Sequence, residues 1–333
     1  MNLKAILALC VILYGSQPVQ AQFDYTVNPD NTITITGYSV PGGPVGSLTI
    51  PTNISGLTVT SIGERAFFVC NSLTSVTIPG SVISIGEEAF ENCTRLTSVT
   101  MANGVTSIGE NAFDFCASLT GVTIPGSVTN IGEDAFEEDT SLTSVAIPGS
   151  VTSIGYDTFL LCSALTSVTM ANGITYIGEG AFAQCTSLTS VTIPGSVTNI
   201  GEDAFVSCSA LTSVYFQGNA PAADSTVFAN DNNPTVYYLP GTTGWSSPFA
   251  SRQALLWNPL IQTSGTNFGV QSNQFGFKIT GTPHISIVVE GCTNLTSPVW
   301  TPLQTFTFTG GLVYFSEPFL PNSPGRFYRI SPP

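Results

Sequence analysis

Three kinds of chemically capable side chain recur in this chain at one interval. Cys70, Cys93, Cys116, Cys162, Cys185 and Cys208 hold one position of a 23-residue period, with Asp139 in the same column between the third and fourth. Glu64, Glu87, Glu110, Glu133, Glu179 and Glu202 hold a second position, each directly after a glycine, with Tyr156 as the exception. Hydroxyls hold two more. One rank is Thr77, Thr100, Thr123, Thr169 and Thr192. The other is Ser75, Ser98, Ser144, Ser167, Ser190 and Ser213. Ala146 and Tyr215 interrupt the threonine rank.

Each column has a chemical use and an architectural one. Stacked thiols could pair as disulfides in an exported protein. Identical positions in neighbouring coils project in parallel, however, which suits packing as small hydrophobes more than bridging. No C-x-x-C spacing is present, so a zinc site has no footing. Asp139 is expected to face inward, where a carboxylate must find backbone donors or water. Stacked glutamates could hold calcium, but loops of the D-x-[DN]-x-[DN]-G kind are missing, and a helical start after each glycine would account for the acids through the helix dipole. Glu133–Asp139, EDAFEED, is the densest acidic stretch.

The hydroxyl ranks are the candidate binding residues. They comprise Ser75, Thr77, Ser98, Thr100, Thr123, Ser144, Ser167, Thr169, Ser190, Thr192 and Ser213, with Tyr215 at the end of the row. Alternation with Val76, Val99 and their equivalents turns these side chains to water. A nearly uncharged, extended face of this kind suits a protein or a sugar, although β-forming residues on a solvated strand face need no ligand to explain them.

Catalysis has little support. The chain holds one histidine, His284, so a histidine metal cluster has no second member. Paired carboxylates such as Glu87/Glu88 recur coil after coil, which points to architecture. No cofactor is implied.

The elements that must position these columns are repeats. Phe67, Phe90, Phe113, Phe136, Phe159, Phe182 and Phe205 mark seven coils, and a fixed short period means a solenoid. In the coil Leu73–Cys93, Leu73, Val76 and Ile78 form an inward strand edge and Pro79-Gly80 turns the chain. Val82 and Ile85 form a second edge, Gly86 ends it, and Glu87–Phe90 is expected to make one short helical turn. The tokens IPGSVTNIGEDAF, at 124–136 and 193–205, and CTSLTSVTIP, at 185–194, resemble the BspA-type leucine-rich repeat of bacterial surface antigens. The resemblance implies a secreted or surface-displayed binding protein. The fold class expected is a β-rich solenoid, a right-handed leucine-rich repeat coil stack with short helical turns, plus a small all-β C-terminal domain.

The flanks complete the layout. Residues 1–21 read as a signal peptide: Lys4, an apolar run from Ala5 to Leu13, and Val19-Gln20-Ala21 at the cleavage position. Residues 22–47 form an N-terminal β cap, with a hairpin around Asn28–Asn31, and the repeats occupy 48–216. A C-terminal cap is expected over 217–257, a linker over 258–269, and a small β-sandwich-like domain over 270–333. No later apolar run is long enough for a membrane helix.

Charge narrows the partners. The net charge is −14 although only 8% of residues are charged. Between Glu64 and Asp203, Arg65 and Arg95 face 15 carboxylates, and no lysine occurs between Lys4 and Lys278. Nucleic acid and anionic lipid both require clustered cations, so neither is a partner. The expected role is adhesion or recognition at the cell surface, toward protein or glycan on another cell or matrix. A structural envelope or matrix spacer is the alternative, and a carbohydrate-active enzyme a more distant one.

Overall fold

The computed structural model describes residues 22–40, 43–265, 268–283, 285–319 and 325–332. The segment expected as a signal peptide, 1–21, and His284 lie outside the described residues. The described part is all strand and turn, with no helix long and apolar enough to cross a membrane.

The constant period puts each residue opposite its own equivalent. Strand Leu73–Ile78 pairs in parallel with Ser98–Met101, so that Ser75, Val76, Thr77 and Ile78 face Ser98, Val99, Thr100 and Met101. The same register carries on through Gly121–Thr123, Ser144–Ile147 and Ser167–Met170. A second, narrower sheet is built from two-residue strands such as Ser84–Ile85 and Ser107–Ile108. Between the two sheets Leu73, Val76, Ile78, Val82, Ile85, Ala89, Phe90 and Cys93 are all buried. The phenylalanines stack along the axis with centroids 5.1–5.4 Å apart from Phe67 to Phe205. One coil cannot bury this set, so the array stands by burial between neighbours.

The third side of each coil differs from expectation. The segment after Gly86 is a run of turns, not a helical turn. Glu88 (φ 53°) and Asn92 (φ 58°) are left-handed, as are their equivalents from Arg65 and Val69 to Asp203 and Ser207. Backbone bonds alternate between local and distant partners. Ala89 N donates to Gly86 O, whereas Glu88 N donates to Glu110 O at 2.9 Å and Phe90 N to Ala112 O at 2.8 Å. Every second N–H of the turn thus goes to the next coil instead of staying within its own. No helix dipole therefore acts on the glutamate column.

Gly86 is needed for contact between coils. A Cβ there would lie 2.6 Å from Gly63 C and 2.7 Å from Glu64 N. Gly109 meets Gly86 and Glu87 at the same distances. Only glycine allows backbones this close.

The repeat thiols are free and buried, and five of the six find a carbonyl one coil back. Cys93 Sγ donates to Phe67 O at 3.2 Å, and Cys116, Cys162, Cys185 and Cys208 repeat the bond to Phe90, Phe136, Phe159 and Phe182.

The hairpin Phe23–Val27 and Ile33–Tyr38 covers the N-terminal end, Ile33–Tyr38 pairing in parallel with Leu57–Ile62. At the other end the stack runs past Phe216. Ser213–Phe216 pairs in parallel with Thr235–Tyr238, which pairs with Ala254–Leu256, and Phe228 extends the ring stack at 5.8 Å from Phe205. The segment expected as a cap thus continues the solenoid. The segment expected as a linker contributes strand Leu260–Gln262, which pairs with Gln274–Thr280. Gln274–Thr280 also pairs with Gly269–Gln271 and Leu312–Pro318. A second antiparallel sheet joins Ser286–Cys292 to Thr301–Thr307 and Phe327–Ser331. The core of this module includes Phe277, Ile279, Ile287 and Phe315, and it is shared with Tyr215, Tyr237 and Trp257 of the solenoid.

Candidate binding surfaces

The wide sheet presents its hydroxyls as two ranks in register. Thr77, Thr100, Thr123, Ala146 and Thr169 form one, and Ser75, Ser98, Gly121, Ser144 and Ser167 the other. Ser98, Thr100, Thr123, Ser144, Ser167 and Thr169 are exposed, while Ser75, Ser190, Thr192 and Ser213 are half-buried. Ser75 also bonds Ser47 through their hydroxyls at 2.8 Å. The structure therefore brings these expected residues together on one face, open over its central coils.

Tyr215 departs from that face and must be struck from it. It is 4% exposed, stacked on Tyr237 at 5.0 Å and edge-on to Trp257 at 6.3 Å. The C-terminal module lies over it, and burial pushes its phenol up to about 12. The aromatic residue that broke the threonine rank is the sign of this covering.

A further hydroxyl column is structural. Thr97 Oγ1 donates to Thr74 O at 2.9 Å, and Thr120, Thr143 and Thr166 repeat the bond one coil on. These hydroxyls staple strand to strand along the border of the sheet.

Three perturbed carboxylates lie one or four residues after a glutamate of the exposed column, before the alanine or beside the phenylalanine of the turn. Burial, then Glu137 and Glu91, raise Asp114 to about 7. Burial, then Asp134 and Asp157, raise Glu137 to about 7. Burial, then Asp157, raises Asp134 to about 6. The acidic stretch 133–139 was the legible sign of this patch. Arg65 lies at its N-terminal side and pairs with Glu88 at 2.5 Å.

Two carboxylates occupy the cysteine column. Asp139 is fully buried between Cys116 and Cys162, and neither oxygen has a hydrogen-bond partner among the described residues. Burial raises it well above the ordinary carboxylate range. Asp231, one coil past Cys208, likewise has two unpartnered oxygens and is raised by burial to about 8.

The chain can now be set beside known proteins. Residues 42–166 and 129–244, more than half of the chain, match the family described as BspA type Leucine rich repeat region, in six copies. A leucine rich cell surface protein from Faecalibacterium prausnitzii is 40% identical over 61% of this chain and 55% of its own, with a TM-score of 0.54. A leucine rich repeat protein of T. pallidum is 30% identical over 50% of this chain and 88% of its own, with a TM-score of 0.42. One from Bacteroides ovatus is 26% identical over 65% and 70%, with a TM-score of 0.43. This chain spans just over half the length of the Faecalibacterium structure. A comparison with proteins of curated function finds no match. The repeat tokens, the in-register coil stack and the family match agree: the chain belongs to the BspA-type leucine-rich repeat proteins.

Proposed function

We propose that this chain is an exported, non-enzymatic binding protein that recognises protein or glycan through the wide sheet of its solenoid. One observation carries the reading. The hydroxyls from Ser98 to Thr169 form an exposed, uncharged double rank, interrupted at Gly121 and Ala146. Solenoids bind along surfaces that repetition makes continuous. The acidic ridge is the competing surface, and like charges one coil apart make its contacts salt-sensitive. Export rests on the signal-like residues 1–21 and on the similar Faecalibacterium protein being described as a cell surface protein.

The test is an array of matrix proteins and glycans probed with the mature chain, paired with fractionation of the source cells. Retention at the surface with selective array binding supports adhesion. Surface retention with an array blank for every ligand favours the spacer role. Turnover of a polysaccharide would replace both with an enzyme.

A further inference from the structure

A pocket of about 480 Å³ lies where the end of the wide sheet meets the C-terminal module. The solenoid supplies Tyr215, Gln217, Tyr237 and Trp257, and the last strand of the module supplies Arg329 and Ser331. The volume falls within the range of about 300–1,000 Å³ usual for small-molecule sites. We infer that this pocket holds a single neutral sugar ring, a hexopyranose or its N-acetylated form, at the end of a glycan. The inference rests on the glycan branch of the proposed function but places the contact away from the open hydroxyl face.

The lining argues for this ligand class in two ways. First, the floor is aromatic, with Tyr215 and Tyr237 stacked and Trp257 edge-on. A pyranose has an apolar C–H face that matches such rings, and tyrosine and tryptophan combine an apolar body with a polar tip. Second, Gln217, Arg329 and Ser331 give the otherwise apolar wall of Phe216, Leu239 and Ile330 a polar part. Arg329 is the charged lining residue, and its Nε bonds Glu290 at 2.6 Å while its guanidinium lies 4.6 Å over the Trp300 ring. Charge at that wall is already compensated, and the terminal guanidinium nitrogens have no partner among the described residues. Together with exposed Gln217 and half-buried Ser331 they offer donors and acceptors to the rim of a sugar. An anionic ligand would compete with Glu290, and a purely apolar one would leave these groups unmatched.

The experiment uses the mature full-length chain. Glucose, galactose, mannose, N-acetylglucosamine and N-acetylgalactosamine, with their linear tetrasaccharides, are titrated by saturation-transfer NMR and by tryptophan fluorescence. At least one sugar is expected to bind, with the tetrasaccharide bound through its terminal ring. Gln217→Trp, which fills the pocket from an exposed position, and Arg329→Ala, which removes rim donors, should each weaken binding by at least about tenfold. Melting curves establish that both variants fold, and Arg329→Ala alone decides the matter where Gln217→Trp does not. Arginines at Ser98, Thr123 and Ser144 on the sheet should leave sugar binding unchanged. No binding by any sugar in the panel overturns the inference, as does binding unchanged by both pocket variants. Sugar binding lost only with the sheet arginines overturns it and leaves the sheet reading standing. Sugar binding intact while a protein partner ignores the sheet arginines overturns the sheet reading alone.

Discussion

The rings of Phe113 and Phe136 lie 5.4 Å apart and within 6° of parallel, one coil above the other. Phe136 is fully buried and has Phe159 at the same distance on its other side. Truncation there leaves a void that the flanking coils cannot close, because each is held in register by its own strand bonds. Phe136→Ala should cost about 3–5 kcal/mol. Thr123→Ala, on the exposed face, should cost well under about 1 kcal/mol. Denaturant titration of both variants checks the inward register, and equal small losses would show it to be wrong.

Asp139 gives the solenoid a pH dependence of definite sign. An unfolded aspartate titrates near about pH 3.9, while the folded one is raised well above that by burial, with Asp114 adding to the shift. The folded state therefore holds a proton that the unfolded state has released. This contribution is fully present below about pH 4 and is lost as pH rises through the folded value. Asp231, raised to about 8, acts in the same direction over pH 4 to 8. Asp139→Cys, which restores the thiol column, should stabilise the chain at pH 8 by about 1–3 kcal/mol and little at pH 4. Melting temperatures of variant and parent across that range test this. A constant difference would mean that Asp139 has found a partner in solution.

The six repeat cysteines should behave as packing residues. All but Cys70 already bond carbonyls through their thiols, and burial raises Cys116, Cys162 and Cys185 further from reactivity. Thiol labelling of the native chain should be slow, and labelling after denaturation without reductant nearly complete. Labelling that requires reductant would establish bridges.

Much of this fold was legible because period and register are the same information. Once Phe67 to Phe205 recur every 23 residues, Leu73, Val76, Ile78 and Cys93 can only stack on their equivalents. Turn geometry was less legible. Glu87–Phe90 has the residues of a helical start, and nothing local shows that the Glu88 N–H is claimed by Glu110 O in the next coil. Gly86 read as an element breaker, whereas at Gly86, Gly109, Gly132, Gly178 and Gly201 the residue serves a close backbone contact that appears only when two coils are placed together. The same holds for the candidate surface. Alternation put Ser98 and Thr123 outward, and they are outward. Tyr215 shares their strand position, but Phe277 and Ile279, some 60 residues on, belong to the core that covers it, and strand alternation carries no trace of so distant a neighbour.

The working face is the central claim, and one comparison tests it most directly. Arginine at Ser98, Thr123 and Ser144 should leave the melting temperature nearly unchanged, because these side chains are exposed, and should abolish binding to the partner found on the array. Glutamine at Glu110, Glu133 and Glu202, also exposed, should leave that binding intact and its salt dependence flat. Binding lost with the glutamines and kept with the arginines would contradict the account and move the site to the acidic ridge.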